Sequence, residues 1–196
     1  MSFYSIAPFI KEFYPEYYSL ESYPADKCVC IRKVDDEWGV LGNFARTPLT
    51  VDGVKLKNSE QLFQLMKFTD AEPVMAVYRA GNPKYPAKHW EKTHRRPDWG
   101  HIIVDVMKFC LTTKYEQSED FCLALRRSEG FFIVEDQTSF PKKTPDTWGV
   151  KSVGDEYAGP NLLGRLLMEL RDNGRLEYRL PEDALLCLKI IRDGSM

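Results

Sequence analysis

No apolar run in this sequence approaches the ~18 residues that a membrane span requires, and Met1-Ser2-Phe3-Tyr4 starts no basic region followed by an apolar stretch. The expectation is a cytoplasmic chain with no membrane partner. A dominant charge is also missing: 27 basic side chains stand against 29 acidic ones, a formal charge of −2. The field of the whole molecule is too weak to hold a nucleic acid by counterion release, so an anionic ligand must be gripped locally. The cysteines lack pairing arithmetic. Cys28, Cys30, Cys110, Cys122 and Cys187 are an odd number in a chain large enough to fold without cross-links, so free thiols are expected. Metal-ligand spacing is absent too, because Cys28-Val29-Cys30 has no second pair and His89, His94 and His101 are not i, i+4. Neither a metal nor another cofactor is expected. Internal repeats, low-complexity tracts and linkers are lacking.

What is present is enough for one folded domain. In 196 residues, 43% are hydrophobic, 29% charged and 13% aromatic, a balance unlike that of disordered chains. Residues 1–27 are rich in Tyr and Pro without a sustained period, and predict an irregular arm packed on the core formed by residues 28–196. Cys28 to Lys33 alternates as a short strand would, and Val51-Asp52-Gly53-Val54 carries the Asp-Gly signal of a tight hairpin.

Helical period begins at Asn58, an N-cap with Gln61 three residues on. Leu62, Leu65, Met66 and Thr69 then share one face, and Glu60, Gln64 and Lys67 the opposite one. Further helices are expected over Trp99 to Lys114, over Asp120 to Arg127 ended by Gly130, from an Asn161 cap to Gly174, and from Pro181 to Ile191. Phe131 to Val134 reads as a buried strand, and Glu135 to Val150 as a long polar loop.

Three acids stand out by position: Glu60 in a first helical turn, Glu135 at a strand end, and Asp146 before Trp148-Gly149. Rigid elements can aim a carboxylate at a reacting atom, yet a Glu-Gln-Lys stripe opposite an apolar face is commonly just the wet side of a helix. Between Lys84 and Arg96 lie Lys84, Lys88, Lys92, Arg95, Arg96, His89 and His94 against the single acid Glu91, with Tyr85, Trp90 and Trp99 interleaved or adjacent. Cations suit phosphates and aromatic faces suit bases, while a solvated basic loop explains the composition equally well. Trp99 and Trp148 each sit near an acid, and Asn43-Phe44 lies in a loop with Gly39 and Gly42.

Taken in order, several stretches resemble the NADAR domain family, also called YbiA-like. They are Gly42-Asn43-Phe44-Ala45, Asn58-Ser59-Glu60-Gln61 with Gln64 and Lys67, Asp98-Trp99 with Met107 and Lys114, Ile133-Val134-Glu135, Asp146-Thr147-Trp148-Gly149, and Gly159-Pro160-Asn161-Leu162-Leu163-Gly164 with Leu167-Met168. The resemblance covers about residues 38 to 172 and departs from the family pattern at Gly42, where Ser is usual. It implies a helix-rich α+β fold, a single compact domain with a few short strands. It also implies hydrolysis of N-glycosidic bonds in phosphorylated ribosides. Two substrate classes come with it: ADP-ribose linked to a guanine base, in a nucleoside or a nucleic acid, and the phosphoribosylamino-pyrimidine intermediates of riboflavin synthesis. A module that binds ADP-ribose or an NAD derivative without turnover is the alternative of another class.

Breaking a C1′–N bond builds positive charge on the ribose, so the implied site needs a carboxylate near C1′, a proton donor for the base and a phosphate anchor. The resemblance gives Glu60 the oxocarbenium face or the activation of water. Asp146, shielded by Trp148, would protonate or orient the base. Lys67 would pair with Glu60, hold a hydroxyl or phosphate, or attack the opened sugar as an amine. Trp99 would stack on the base, Asn43 and Phe44 would shape the ribose pocket, and Gln64 and Glu135 would contact substrate. Gly159 and Asn161 would turn helix N–H groups toward a phosphate.

Overall fold

A computed structural model of the chain describes residues 6–142 and 144–194. The fold is helix-rich α+β with short strands, the class expected, and the chain forms two compact units. One unit joins the residues up to 45 with 118–176, and the other joins 46–117 with those from 177 onward.

The first unit opens with α1 (Ala7–Phe13), with Pro8 in its first turn, where a missing N–H costs nothing. A 3-10 turn at Pro15–Tyr17 and strand β1 (Glu21–Pro24) follow. Ile10, Tyr14, Tyr17 and Tyr23 are buried. The stretch expected as an irregular arm is therefore regular structure from residue 7, because its aromatic side chains order it; residues 1–5 lie outside the described residues. Strand β2 (Cys28–Ile31) pairs in parallel with β5 (Phe132–Glu135), with Ile31 opposite Glu135. Parallel pairing demands a crossover, and the connection here spans residues 32–131. Strands β6 (Lys151–Val153) and β7 (Glu156–Gly159) extend a separate antiparallel sheet from β1, in the order β1-β7-β6. Tyr23, Val134, Val150 and Tyr157 form a core cluster in this unit.

Helix α6 (Glu119–Arg127) is capped by Ser118, whose Oγ accepts from the Phe121 N–H. Helix α7 (Leu162–Asn173) packs on β5. It buries Leu162, Leu163, Leu166, Leu167 and Leu170, the stripe legible in the sequence, each contributing roughly 1.5–3 kcal/mol. Gly174, at φ 69°, ends it in the left-handed conformation glycine adopts without strain.

The second unit begins with the hairpin β3 (Leu49–Val51) and β4 (Val54–Leu56). Asp52 and Gly53 both have positive φ, 48° and 77°, as a two-residue turn matched to the strand twist requires. Helix α2 (Ser59–Leu65) follows, with Asn58 Oδ1 accepting from the Gln61 N–H at 3.0 Å. Gln61 reaches back in turn, its Oε1 accepting from the Lys57 N–H at 2.8 Å. Helices α3 (Ala71–Arg79), α4 (Lys84–His94) and α5 (Trp99–Gln117) complete the run. The C-terminal helix α8 (Leu186–Asp193) starts five residues later than expected, because residues 182–185 form turns rather than continuing from Pro181. Helix α2 packs on α5, and α3 packs on α4 and α8. Helix α3 had no counterpart among the expected elements, and α4 replaces the basic loop. Pro73 and Pro86 sit in the first turns of α3 and α4, where a proline breaks nothing.

Candidate functional site

A surface helix would leave Glu60, Gln64 and Lys67 in water. Helix α2 does not behave as one. All seven of its residues are buried, and Glu60, Gln64 and Lys67 are only 5, 4 and 8% exposed. Enclosing a carboxylate and an ammonium costs several kcal/mol per ion before pairing repays it, so the bland reading of a wet helix face is excluded.

The partners are specific. Gln64 Nε2 donates to Glu60 Oε1 at 2.8 Å, and Lys84 Nζ stands 3.9 Å from the same oxygen. Both of these contacts fall on the same carboxylate oxygen of Glu60. Lys67 Nζ lies 3.5 Å from Glu91 Oε2 and 5.7 Å from the ring centroids of both Phe63 and Trp99. Those two rings meet edge-on at 5.3 Å and attract the cation through their negative faces. Glu91 Oε1 accepts from Arg95 one helical turn away at 3.2 Å. Burial pulls the Lys67 amine below its usual range, against the opposing pull of Glu91 and Glu60.

Two expectations are corrected here. Lys67 pairs with Glu91 rather than Glu60, because α2 ends at Leu65 and Lys67 lies in the following turn, facing α4. Trp99 does not offer a face for base stacking: it is 1% exposed, packed against Phe63 and the Lys67 ammonium. Its Nε1 is buried without a hydrogen bond among the described residues.

The basic segment divides in two. Lys84, Lys88 and Lys92 fall at i, i+4 and i+8 on α4 and are exposed, with Tyr85 and His89 beside them. The Trp90 ring sits edge-on to His89 at 5.2 Å and to His94 at 4.8 Å. Arg96 is no part of this patch. Its buried guanidinium binds Asp98 and Asp183, and its N–H donates to the Lys67 carbonyl at 2.9 Å.

The remaining candidates form a second group, in the first unit. Asp146 is exposed, so Trp148, itself half-buried, does not shield it. Its Oδ1 accepts from Gln137 Nε2 at 2.5 Å and from the Trp148 N–H at 3.0 Å, while its own N–H donates to Gln137 Oε1. Gln137, which nothing in the sequence pattern singled out, is buried and holds this turn.

Asn161 stands at the N-cap position of α7 with φ 51°, yet its side chain makes no cap bond. Its Nδ2 donates to the Ile133 carbonyl and its Oδ1 accepts from the Glu135 N–H, tying the helix to β5. The α7 donors are spent as well: the Asn161, Leu162 and Leu163 N–H groups go to the Gly149, Thr147 and Trp148 carbonyls. The expectation that Gly159 and Asn161 aim these groups at a phosphate is therefore corrected. Gly159 serves close approach, since a Cβ there would come within 2.7 Å of the Gly149 carbonyl oxygen. Glu135 is half-buried at the end of β5. Asn43 is buried and Phe44 half-buried, in the loop after the 3-10 turn Gly39–Leu41.

Among the described residues, no group of three or more His, Cys, Asp or Glu side chains could hold a metal ion. No helix among them is long and apolar enough to cross a membrane.

The polar stripe inside α2 and the Asp146-to-Gly164 stretch invite comparison with known proteins. N-glycosidase YbiA of Escherichia coli (strain K12) is 29% identical over 154 residues, 78% of this chain and 91% of that protein. Its namesake in Shigella flexneri serotype 5b (strain 8401) matches to the same extent. A riboflavin biosynthesis protein of Vibrio vulnificus (strain YJ016) is 27% identical over 158 residues, 79% of this chain and 41% of that protein. The NMR structure of E. coli YbiA superposes with a TM-score of 0.61 at 29% identity, covering 76% of this chain and 84% of that one. The NADAR domain matches residues 31–175, taking in both groups of side chains, and the chain belongs to the NADAR domain family.

Proposed function

We propose that this protein hydrolyses the N-glycosidic bond of a phosphorylated riboside, with ADP-ribose linked to a guanine base as its substrate. The observation that carries the reading is the burial of Glu60, Gln64 and Lys67 side by side, with Gln64 Nε2 bonded to the Glu60 carboxylate. Relatives named as N-glycosidases support it.

In the proposed reaction the C1′–N bond breaks with its electron pair passing to the base nitrogen, which takes up a proton from solvent. The ribose is left as an oxocarbenium ion opposite Glu60. Water adds to C1′ and yields its proton to that carboxylate, giving a free base and a sugar hydroxyl at C1′. A carboxylate fixed where positive charge develops needs no reorganisation at the moment of reaction. Lys67, whose amine burial favours in its neutral form, holds a ribose or phosphate oxygen as a cation, or as an amine attacks C1′ of the opened sugar with expulsion of the base, water then hydrolysing the imine to free the lysine. The exposed ammonium of Lys84, near Glu60, suits a phosphate. Asp146, exposed and already accepting two hydrogen bonds, holds the turn with Gln137 and Trp148.

The Vibrio relative's name favours a second substrate class, the phosphoribosylamino-pyrimidine intermediates of riboflavin synthesis. Incubating the protein with ADP-ribosylated guanosine and, separately, with such an intermediate, and following the free base by chromatography, tests both. Base release from the guanosine conjugate is expected. Release from the pyrimidine alone selects the second class. Calorimetric binding of ADP-ribose with turnover of neither substrate overturns the enzyme reading in favour of a binding module.

A further inference from the structure

We propose that Glu91 is the positioning residue of Lys67: its carboxylate anchors the ammonium and sets the pH at which the side chain changes charge. The inference rests on the reading that Lys67 takes part in the reaction, and it follows from how the segment 91–96 encloses that residue. At the side chain, Glu91 Oε2 stands 3.5 Å from Lys67 Nζ, and both side chains are nearly buried. At the backbone, the Arg96 N–H donates to the Lys67 carbonyl at 2.9 Å, and Phe68 bridges to Arg95. One short stretch of chain therefore fixes both ends of Lys67.

The charged groups around the amine come from two elements. Glu60 approaches from α2, and Glu91 and Lys84 from α4; the Phe63 and Trp99 ring centroids each lie 5.7 Å from the amine. The two carboxylates are divided by their partners. Glu60 is engaged by Gln64 and Lys84, and Glu91 by Lys67 and Arg95. Glu91 is thus the direct counter-ion, and Glu60 acts on Lys67 only through space. Removing the Glu91 charge leaves desolvation less opposed, so the ammonium gives up its proton at lower pH. Arg95 works in the opposite sense, since it competes for the same carboxylate.

The test compares wild type with Glu91→Gln, Glu91→Asp and Arg95→Gln. Two readouts are taken across pH: base release, and acetylation of Lys67 by acetic anhydride followed by mass spectrometry, which needs no substrate. In Glu91→Gln both midpoints are expected to move down by roughly one pH unit. The direction is the same whether the reaction needs the ammonium or the free amine, because the limb that belongs to Lys67 moves with it. Glu91→Asp keeps the charge and should restore the wild-type midpoint, and Arg95→Gln should move it upward. A merely structural role for Glu91 would scale activity equally at every pH. Unmoved labelling midpoints in both Glu91→Gln and Arg95→Gln overturn the proposal. A shifted labelling midpoint in a protein that releases no base sustains the role of Glu91 and sinks the functional reading instead.

Discussion

Glu60→Gln is expected to slow base release by roughly a thousandfold, about 4 kcal/mol of transition-state stabilisation, while substrate affinity changes little. The substitution is close to isosteric, so the packing of α2 against α5 survives. The amide keeps an oxygen that can accept from Gln64. What disappears is the negative charge. A neutral amide at that position neither opposes a growing oxocarbenium charge nor takes a proton from water. Single-turnover rates, read beside binding of uncleaved substrate by calorimetry, separate the two effects. A variant that binds normally and cleaves within tenfold of wild type would remove Glu60 from the chemistry.

The second large effect is structural. Gly164→Ala is expected to cost about 3 to 5 kcal/mol and to lower the melting temperature by roughly 10 °C. A Cβ built on Gly164 would stand 2.1 Å from the Ile133 carbonyl oxygen and 2.5 Å from Asn161 Nδ2. Neither neighbour can yield cheaply, because the carbonyl belongs to β5 and the Asn161 side chain is bonded to that same carbonyl and to the Glu135 N–H. The first turn of α7 must lift away from the strand, and both Asn161 hydrogen bonds are strained or lost with it. Thermal unfolding followed by circular dichroism measures the shift. A melting temperature within a degree or two of wild type would contradict this close apposition of helix and strand.

How far the sequence reveals these features depends on how local their causes are. The α2 cap is legible because Asn58 and Gln61 are three residues apart and bond each other. So is the Asp52-Gly53 turn, whose dihedral demands are written in two residues. The Leu stripe of α7 obeys the same rule. Asn161 misleads for the opposite reason: its position reads as a cap, but its side chain serves β5, 26 to 28 residues earlier in the chain.

Within the candidate site, the stripe of Glu60, Gln64 and Lys67 is visible in the sequence, but whether it faces water or the interior is not. Periodicity reports which residues share a face and says nothing of what covers that face. Helices α4 and α5 decide it, and α3 is a neighbour that no pattern announced. Glu91 was invisible as a partner because it lies 24 residues from Lys67, as the single acid in a basic run. Trp99 was conspicuous, yet large rings beside acids serve cores and sites alike, and only its burial separates wall from stacking face.

The structure of the Glu60→Gln protein with uncleaved ADP-ribosylated guanosine bound tests the central claim most directly. The account predicts the anomeric carbon opposite the side chain of residue 60, within about 3.5 Å of its oxygen, with the Lys67 nitrogen close to the ribose. A riboside seated instead against Asp146 and Glu135, with residue 60 still enclosed and touching no part of it, would contradict the account.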